Sequence, residues 1–255
     1  DTETIALDEE SMKMEIPQLV IVQASGEDPD DNYIIHPDDL AEFLRVHEDH
    51  HLVFFNIVFD VPVMLEHLSG ADPHAEQLLH DMVDDGQCHD LMLLDQLVRI
   101  ARQRGSSHRR SLAQTTKDVL GVELEKEDTP RYQYGTLLRK GYEGIPPEFY
   151  KYAARDSRAT YDCFQDVWKQ AWDQHRKIRD EGNEMDPERA EPWAPLTEQI
   201  QVRAALALDQ LSKWGVEIDT EKLEQVHSEA LEELHKAVNA LEYAPRVEEF
   251  EEGNN

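Results

Sequence analysis

A strand-length apolar run that leads directly into a helix is the feature that most constrains this fold. The run Leu52–Phe55 indicates a buried strand, and the apolar residues of 61–68 recur at helical spacing. Residues 1–7 indicate the end of another strand, and two more are predicted at 19–23 and 33–35. Strands that alternate with helices are typical of an α/β domain.

Further helical patterns follow along the chain. They are predicted from Pro37, over 90–103, over 111–120 with Gly121 as the stop, and from Pro146 and Pro147 through residue 171. The last of these keeps its apolar stripe for about seven turns, counted at 3.6 residues per turn. The first part of the chain is therefore predicted to have a mixed sheet flanked by helices.

Helical periodicity fails between residues 176 and 195, where charge density rises and Pro187, Pro192 and Pro195 fall close together. A stretch of this kind favours a linker. Helical patterns resume at 200–214 and again after a cap at Asp219 or Thr220. The sequence thus predicts a domain over residues 1–175, a linker over 176–195 and a helical unit over 196–255.

The charge of the chain excludes some functions. Its 255 residues include 55 acidic and 25 basic side chains, which give a formal net charge of −30. This charge excludes a protein that coats nucleic acid with a generally basic surface. The apolar runs are of strand length, far short of the roughly 18 residues that a membrane span needs, so no membrane partner is expected. Two cysteines cannot form a disulfide framework. A reducing cytoplasm is the expected location, which for a viral protein would be that of the host.

One stretch departs from the acidic composition. Between Asp95 and Asp118 there is no acidic residue, and the stretch carries Arg99, Arg102, Arg104, Arg109, Arg110 and Lys117. We call residues 96–117 the basic strip. A basic strip on an acidic body suggests that a polyanion is bound at one place. The alternative is a helix and turn with solvated arginines.

Three groups of side chains carry candidate chemistry. Asp1 and Glu3 alternate on a strand, so both carboxylates project from one face about 6–7 Å apart. Asp60 follows the strand 52–55, at the edge where open α/β sheets bind ligands. Tyr152 and Asp156 lie one helical turn apart, beside an apolar stripe. Convergence on divalent cations would explain all three groups together.

Each group also has a structural interpretation. Asp1 and Glu3 could belong to a solvated strand face. Asp60 could be a helix N-cap, with Pro62 behind it. Asp156 could make a structural hydrogen bond at the edge of the stripe. His47, His50 and His51 could present two imidazoles on one helix face, but no cysteine is nearby, and a surface position is expected.

The acidic groups together resemble a known family. Asp1-Thr2-Glu3-Thr4 with Leu7, Asn56-x-x-Phe59-Asp60 and Tyr152-x-x-x-Asp156 resemble the three exonuclease motifs of the DEDD superfamily in its tyrosine-bearing branch. The segment 135–164 is similar to the version found in family A DNA polymerases. Residues 211–219 resemble the start of the polymerase region of that family, at the thumb. The resemblance implies a ribonuclease-H-like α/β fold followed by a helical segment.

The resemblance also implies roles for individual residues. Two divalent cations, Mg²⁺ or Mn²⁺, would support phosphodiester hydrolysis. Asp1, Glu3 and Asp156 would hold the ion that activates water, Asp1 would bridge to the second ion, and Asp60 would hold that one. Tyr152 would orient the attacking water. The positions that touch the 3′-terminal nucleotide in the family are matched by Thr2, Leu7, Asn56 and Phe59.

The chain departs from the family pattern at three points. The family has several strand residues before its first aspartate, so this chain is expected to be a segment of a longer polypeptide. The histidine that usually precedes the asparagine is here Phe55, which is expected to pack in the core. None of the polymerase palm motifs lies within residues 1–255.

The expected function is removal of nucleotides from the 3′ end of single-stranded DNA at a primer terminus, as proofreading for a polymerase domain in the same parent chain. The basic strip is expected to lead that strand in, with Arg104, Arg109 and Arg110 on its phosphates. Two alternatives share the motifs. One is a ribonuclease-D-like RNA exonuclease, and the other is a non-catalytic module that only grips single strands.

Overall fold

The computed structural model of the chain describes residues 1–7, 15–103, 108–124, 133–135, 137–138, 141–181, 193–215 and 219–242. The chain divides into two compact units, Asp1–Lys213 and Trp214–Asn255. The first unit contains all the strands of the described chain and the helices that pack on them, in a mixed α/β arrangement.

An antiparallel sheet opens the first unit. It consists of β1 (Thr2–Thr4), β2 (Leu19–Ser25) and β3 (Asn32–Ile35) in the order β1-β2-β3. Thr2 lies opposite Val22 and Glu3 opposite Ile21, and the register shifts between Glu3 and Thr4. Residues 19–23 of β2 are all buried, because this strand lies in the middle of the sheet. The three strands predicted from the sequence are confirmed.

A second, parallel pair of strands lies in the same unit. β4 (Leu52–Phe54) pairs with β5 (Cys88–Asp90), with Leu52 opposite Cys88 and Phe54 opposite Asp90. The connection between them contains α2 (Ile57–Leu68) and α3 (Pro73–Asp84). A cavity of about 340 Å³ lies between the two sheets and is lined by residues of β2 and β4. The mixed sheet that the sequence predicts is thus formed as an antiparallel sheet and a parallel pair.

The remaining helices of the first unit follow the predicted positions closely. The 3-10 turn Pro37–Asp39 leads into α1 (Leu40–Val46), and the later elements are α4 (Leu91–Gln103), α5 (Leu112–Leu120), a 3-10 turn (Tyr142–Gly144) and α6 (Pro147–Glu181). Ser111 and Gln114 form a reciprocal capping box at the start of α5. Gly121 ends α5 with a φ of 71°, in the left-handed conformation that glycine adopts without strain.

Three clusters of buried apolar residues hold these elements together. The first joins α1, α2 and α3 with β4, the second joins α4 to α6, and the third joins β2 to the start of α6 through Tyr134. Both cysteines are buried in these clusters, and burial raises the pKa of the Cys88 thiol to about 12 and that of Cys163 to about 11. Strands β2, β3, β4 and β5 therefore each contribute an apolar side chain or Cys88 to these clusters.

The end of the first unit differs from the predicted boundary. Helix α6 continues to Glu181, through the start of the predicted linker, and α7 (Trp193–Trp214) packs on the first unit through buried Val202 and Leu206. Glu198 on the same helix is fully buried. These contacts place residues 196–213 with the first compact unit and not with the second.

The second unit is represented by α8 (Thr220–Glu242), which begins at an N-cap where Asp219 Oδ1 accepts the N–H of Lys222 at 3.0 Å. Leu223, Val226, Leu231, Leu234 and Val238 are exposed on this helix. The short extended piece predicted at Val216 and Ile218 lies outside the described residues. Among the helices that the structure describes, none combines the length and the apolar character needed to cross a membrane.

Candidate active site

A buried contact between Asp60 and Thr2 joins the first two acidic motifs. Asp60 lies in the first turn of α2 and is 2% exposed. Its Oδ1 atom accepts the backbone N–H of Thr2 and the hydroxyl of Thr2, both at 2.7 Å. Burial raises the pKa of Asp60, and the hydrogen bonds from Thr2 oppose that rise. Strand β1 is therefore fastened directly to the start of α2.

The helix that carries Asp60 begins earlier than the sequence suggests. The N-cap position is Asn56, with a left-handed φ of 74°, and its side chain makes no capping hydrogen bond. The interpretation of Asp60 as an N-cap is therefore wrong, and Pro62 lies inside the helix. Asn56 reaches a conformation that is uncommon for residues other than glycine, which sequence spacing does not reveal.

Asp90, at the end of β5, supplies the missing cap. Its carboxylate accepts the backbone N–H of Ile57 at 3.0 Å and lies 3.4 Å from the N–H of Asn56, and it also accepts the N–H of Leu93 at 3.1 Å. A carboxylate at a helix N-terminus satisfies free N–H groups and interacts well with the helix dipole. Burial raises the pKa of Asp90 to about 6 despite these hydrogen bonds. The sequence analysis did not identify this residue as part of the site.

Asp1 and Glu3 lie on either side of the buried Thr2, as the alternation of a strand requires. Asp1 exchanges two backbone hydrogen bonds with Gln23, at 3.0 and 3.1 Å. Thr2, between Asp1 and Glu3, bonds the carboxylate of Asp60. Glu3 Oε1 lies 3.5 Å from the side-chain nitrogen of Gln23. The first two motifs thus share one electrostatic neighbourhood.

The third motif lies on α6. Tyr152 and Asp156 are half-buried there, one turn apart. Arg155 Nε lies 3.6 Å from Asp156 Oδ1, and the Arg155 guanidinium carbon lies 5.2 Å from the centre of the Tyr152 ring. Arg155 was not predicted as a site residue, although its place between Tyr152 and Asp156 in the sequence could have indicated it.

Tyr134 links the third motif to the first. Its ring is fully buried and its hydroxyl donates to the carbonyl of Phe149 at 2.9 Å. Desolvation raises the pKa of Tyr134 most, and the charges of Glu3, Tyr152 and Asp156 raise it further. Glu3 on β1 and Asp156 on α6 therefore both lie near this ring. No motif surrounds Tyr134 in the sequence, so only the fold reveals its place.

The donor atoms of the site suit a hard divalent cation. All four acids are carboxylates, and Mg²⁺ and Mn²⁺ prefer oxygen ligands. The amide oxygen of Gln23, next to Glu3, is buried and accepts no hydrogen bond from the described residues. The described chain contains no group of three or more His, Cys, Asp or Glu side chains already arranged to hold an ion. The residues therefore fit such a cation by donor type, while protein partners now hold Asp60, Asp156 and Glu3.

The residues expected to touch a terminal nucleotide occupy different environments. Thr2 is buried and its hydroxyl donates to Asp60. Phe59 and Asn56 are half-buried at the start of α2, and Phe59 packs against the first apolar cluster. Leu7 follows β1 and is half-buried. Phe55 packs against the second cluster, as expected for a core residue.

The basic strip is flanked by the acids that pair with it. Arg110 lies 2.9 Å from Asp118 and 3.9 Å from Asp95, and Arg99 bonds Asp95 at 2.9 Å. Arg109 is exposed. Arg104 lies outside the described residues. The two acids that bound the strip in sequence thus neutralise part of it in space.

The three predicted surface histidines follow α1 or precede β4. His51 is exposed, as predicted, yet its Nδ1 atom lies 2.9 Å from Nε2 of the buried His89. His89 Nδ1 in turn lies 3.1 Å from Glu198 Oε2. Partial desolvation of its ring lowers the pKa of His51, and so does the neighbouring His89.

Comparison with known proteins agrees with this geometry. Residues 1–172 match the family model for the 3′-5′ exonuclease of the DNA polymerase A type. The chain belongs to this 3′-5′ exonuclease family, and its α/β fold is that of a ribonuclease-H-like exonuclease domain followed by helices. The family acts on nucleic acid and generally depends on divalent metal ions. No curated protein matches the chain, and no solved structure does.

The raised pKa of Asp90 predicts a pH-dependent contribution to stability. The folded chain binds this proton more tightly than the unfolded chain, where the pKa is about 3.8. The contribution of Asp90 is therefore fully present below about pH 4 and is lost as the pH rises through about 6. We expect Asp90→Asn to remove this component, so that the free energy of unfolding falls less between pH 4 and 6, as measured by urea denaturation with chelator.

Asp72→Asn is the control of opposite sign. A side-chain hydrogen bond from Arg45 lowers the pKa of Asp72, and the N–H of Ala75 lowers it further. Its contribution is present above the unfolded pKa and is lost as the pH falls. Parallel pH profiles for Asp90→Asn and the unmodified chain would contradict the assignment to Asp90.

Proposed function

We propose that this chain is the metal-dependent proofreading exonuclease of a family A DNA polymerase, which hydrolyses the 3′-terminal phosphodiester of DNA. The observation that carries the proposal is the buried contact of Asp60 with Thr2, since it brings two of the three acidic motifs of the family together. The match over residues 1–172 supports the same activity. The partner is a single-stranded 3′ end, and the polymerase domain would lie in the same parent chain.

Asp1, Glu3, Asp60 and Asp156 would hold two divalent cations, Mg²⁺ or Mn²⁺. When bound, such ions lower the pKa of water and stabilise the attacking and leaving oxygens of an in-line displacement. Thr2 would keep the Asp60 carboxylate in place through its two hydrogen bonds. Asp156 would exchange its contact with Arg155 for the ion, which leaves a guanidinium beside the substrate phosphate.

Tyr152 would position the attacking water. A phenol with an ordinary pKa of about 10 is a poor base at neutral pH, so orientation is its proposed part in the reaction. Leu7, Asn56 and Phe59 would contact the sugar and base of the terminal nucleotide. The hydroxyl of Thr2 already donates to Asp60, so the proposed contact of Thr2 with the substrate uses its backbone or methyl group.

The first prediction of the proposed function is metal-dependent trimming. A 5′-labelled single-stranded DNA should lose nucleotides from its 3′ end in Mg²⁺ or Mn²⁺ and persist with chelator, because the donor set consists of carboxylates. A gel that resolves single nucleotides gives the measurement. Asp156→Asn should abolish trimming, whereas Asp162→Asn, on the same helix but paired with Arg158, should not.

The other outcomes separate the alternatives. Faster loss of a matched RNA strand would favour the ribonuclease-D-like activity. Binding of the DNA strand without any cleavage product, in Mg²⁺ and in Mn²⁺, would favour the non-catalytic module. Equal decay in chelator would contradict the metal-dependent proposal.

A second prediction concerns Tyr152. Tyr152→Phe should slow trimming by one to a few orders of magnitude, because a positioned group near the reacting water is lost. Calorimetry should show nearly unchanged Mn²⁺ affinity. Tyr150→Phe is the matched control, because Tyr150 lies on the same helix as Tyr152 and its hydroxyl donates to the carbonyl of Tyr142 in the preceding 3-10 turn. Loss of Mn²⁺ binding in Tyr152→Phe would assign the phenol to the ions instead.

A third prediction concerns the basic strip, which we propose leads the strand to the site. Arg109→Ala should weaken single-strand binding and flatten its dependence on salt by about 0.7 per phosphate contact. Asp118→Asn should strengthen binding, because it frees Arg110 from its ion pair. Fluorescence anisotropy at several salt concentrations gives both slopes.

Arg176→Ala is the matched control for this measurement. It removes the same charge from an exposed arginine on α6, outside the strip, that pairs with Asp173. Equal effects of Arg109→Ala and Arg176→Ala would show a general charge effect and would place the DNA path elsewhere.

A further inference from the structure

We propose that Glu198, on helix α7, is a positioning residue for the exonuclease reaction, acting through Asp90 on the helix that carries Asp60. This inference rests on the proposed role of Asp60. We call the two side chains, with the hydrogen bonds that link them to α2, the Glu198–Asp90 brace.

The first part of the brace joins α7 to β5. Glu198 is fully buried, and its Oε1 atom accepts the backbone N–H of Asp90 at 2.7 Å. Its Oε2 atom lies 3.1 Å from Nδ1 of His89. The same carboxylate therefore holds two successive residues at the end of the strand.

The second part joins β5 to α2. The Asp90 carboxylate accepts the N–H of Ile57 at 3.0 Å and lies 3.4 Å from the N–H of Asn56. The side chain of Asn56 provides no cap in the described structure, so the start of α2 is fixed by a neighbouring strand and not by its own loop. Asp60 follows Ile57 within the same first turn and bonds Thr2.

Holding three elements together with buried carboxylates costs free energy of desolvation. Asp60, Asp90 and Glu198 are each no more than 2% exposed. A buried ionised group loses its hydration, and well-packed apolar residues often stabilise as well or better. Carboxylates differ from apolar side chains because their hydrogen bonds are directional, and here those bonds fix the residue at which α2 begins. A shift in that start would move Asp60 relative to Asp1 and Glu3.

Helix α7 also has contacts that bypass the brace. The side-chain amide of Gln199 donates to the carbonyl of Gly86 at 3.0 Å, and Arg203 donates to the carbonyl of Asp84 at 2.7 Å. These bonds hold α7 to the end of α3 and the turn before β5. They involve neither Asp90 nor α2, which makes Gln199 and Arg203 suitable controls.

The test compares Glu198→Gln with Gln199→Ala and Arg203→Ala in the 255-residue chain. Glutamine keeps one oxygen for the N–H of Asp90 but offers N–H in place of the second acceptor. Without DNA, we expect Glu198→Gln to bind Mn²⁺ about 10- to 100-fold more weakly, the range for residues that orient metal ligands. Electron paramagnetic resonance measures the free ion. Hydrogen exchange of the Ile57 amide should speed up in this variant alone.

Activity supplies a second readout. The Mn²⁺ concentration for half-maximal trimming should rise in Glu198→Gln, while the rate at saturating Mn²⁺ changes little. The controls should leave both values unchanged even where they lower the urea midpoint. If Glu198→Gln does not fold, Asp90→Asn is tested in its place. Asparagine has nearly the shape of the Asp90 side chain and keeps one oxygen that can accept an N–H of α2.

The outcomes distinguish this inference from the proposed function. Unchanged Mn²⁺ affinity and Ile57 exchange in Glu198→Gln, or in Asp90→Asn where that replaces it, would overturn the inference while the exonuclease stands. An unmodified chain that neither binds Mn²⁺ nor trims DNA would overturn both. Ile57 exchange would then still report whether the brace fixes the start of α2.

Discussion

The arrangement of this site depends on one buried carboxylate, that of Asp60. It holds the N–H and hydroxyl of Thr2 and so places the short strand β1 against α2. Because β1 carries Asp1 and Glu3 on either side of Thr2, the same bond sets where those two acids lie. A strand of three residues has few ladder bonds with which to fix itself. The contact of Asp60 with Thr2 therefore does much to fix the position of β1.

Charge is distributed in a way that keeps cations close to acids. In a chain of net charge −30, Arg155 near the candidate site lies beside Asp156, and Arg110 of the basic strip lies beside Asp118. Exposed ion pairs of this kind contribute little to stability. They can exchange partners at small cost, so a phosphate or a metal ion can replace one member.

The sequence predicts those elements whose signals are local. Ser111 and Gly121 mark both ends of α5, and the apolar stripe of α6 marks its length. The strand β5 was missed because Cys88–Asp90 is short and partly polar, and it is buried by neighbours distant in sequence. Glu198 was missed for the same reason, since its partners lie 108 and 109 residues away. The first unit extends to Lys213, beyond the predicted boundary, because Glu198, Val202 and Leu206 are buried against residues distant in sequence.

The way α2 begins also bears on the order in which the chain folds. The helix has a left-handed residue at its N-cap and Pro62 in its interior, and its capping carboxylate arrives with a strand about thirty residues later. A short helix without its own cap is marginal in isolation. The N–H groups at the start of α2 find the Asp90 carboxylate only when β5 is in place, so we expect the carboxylate of Asp60 to reach its final position no earlier than β5 does.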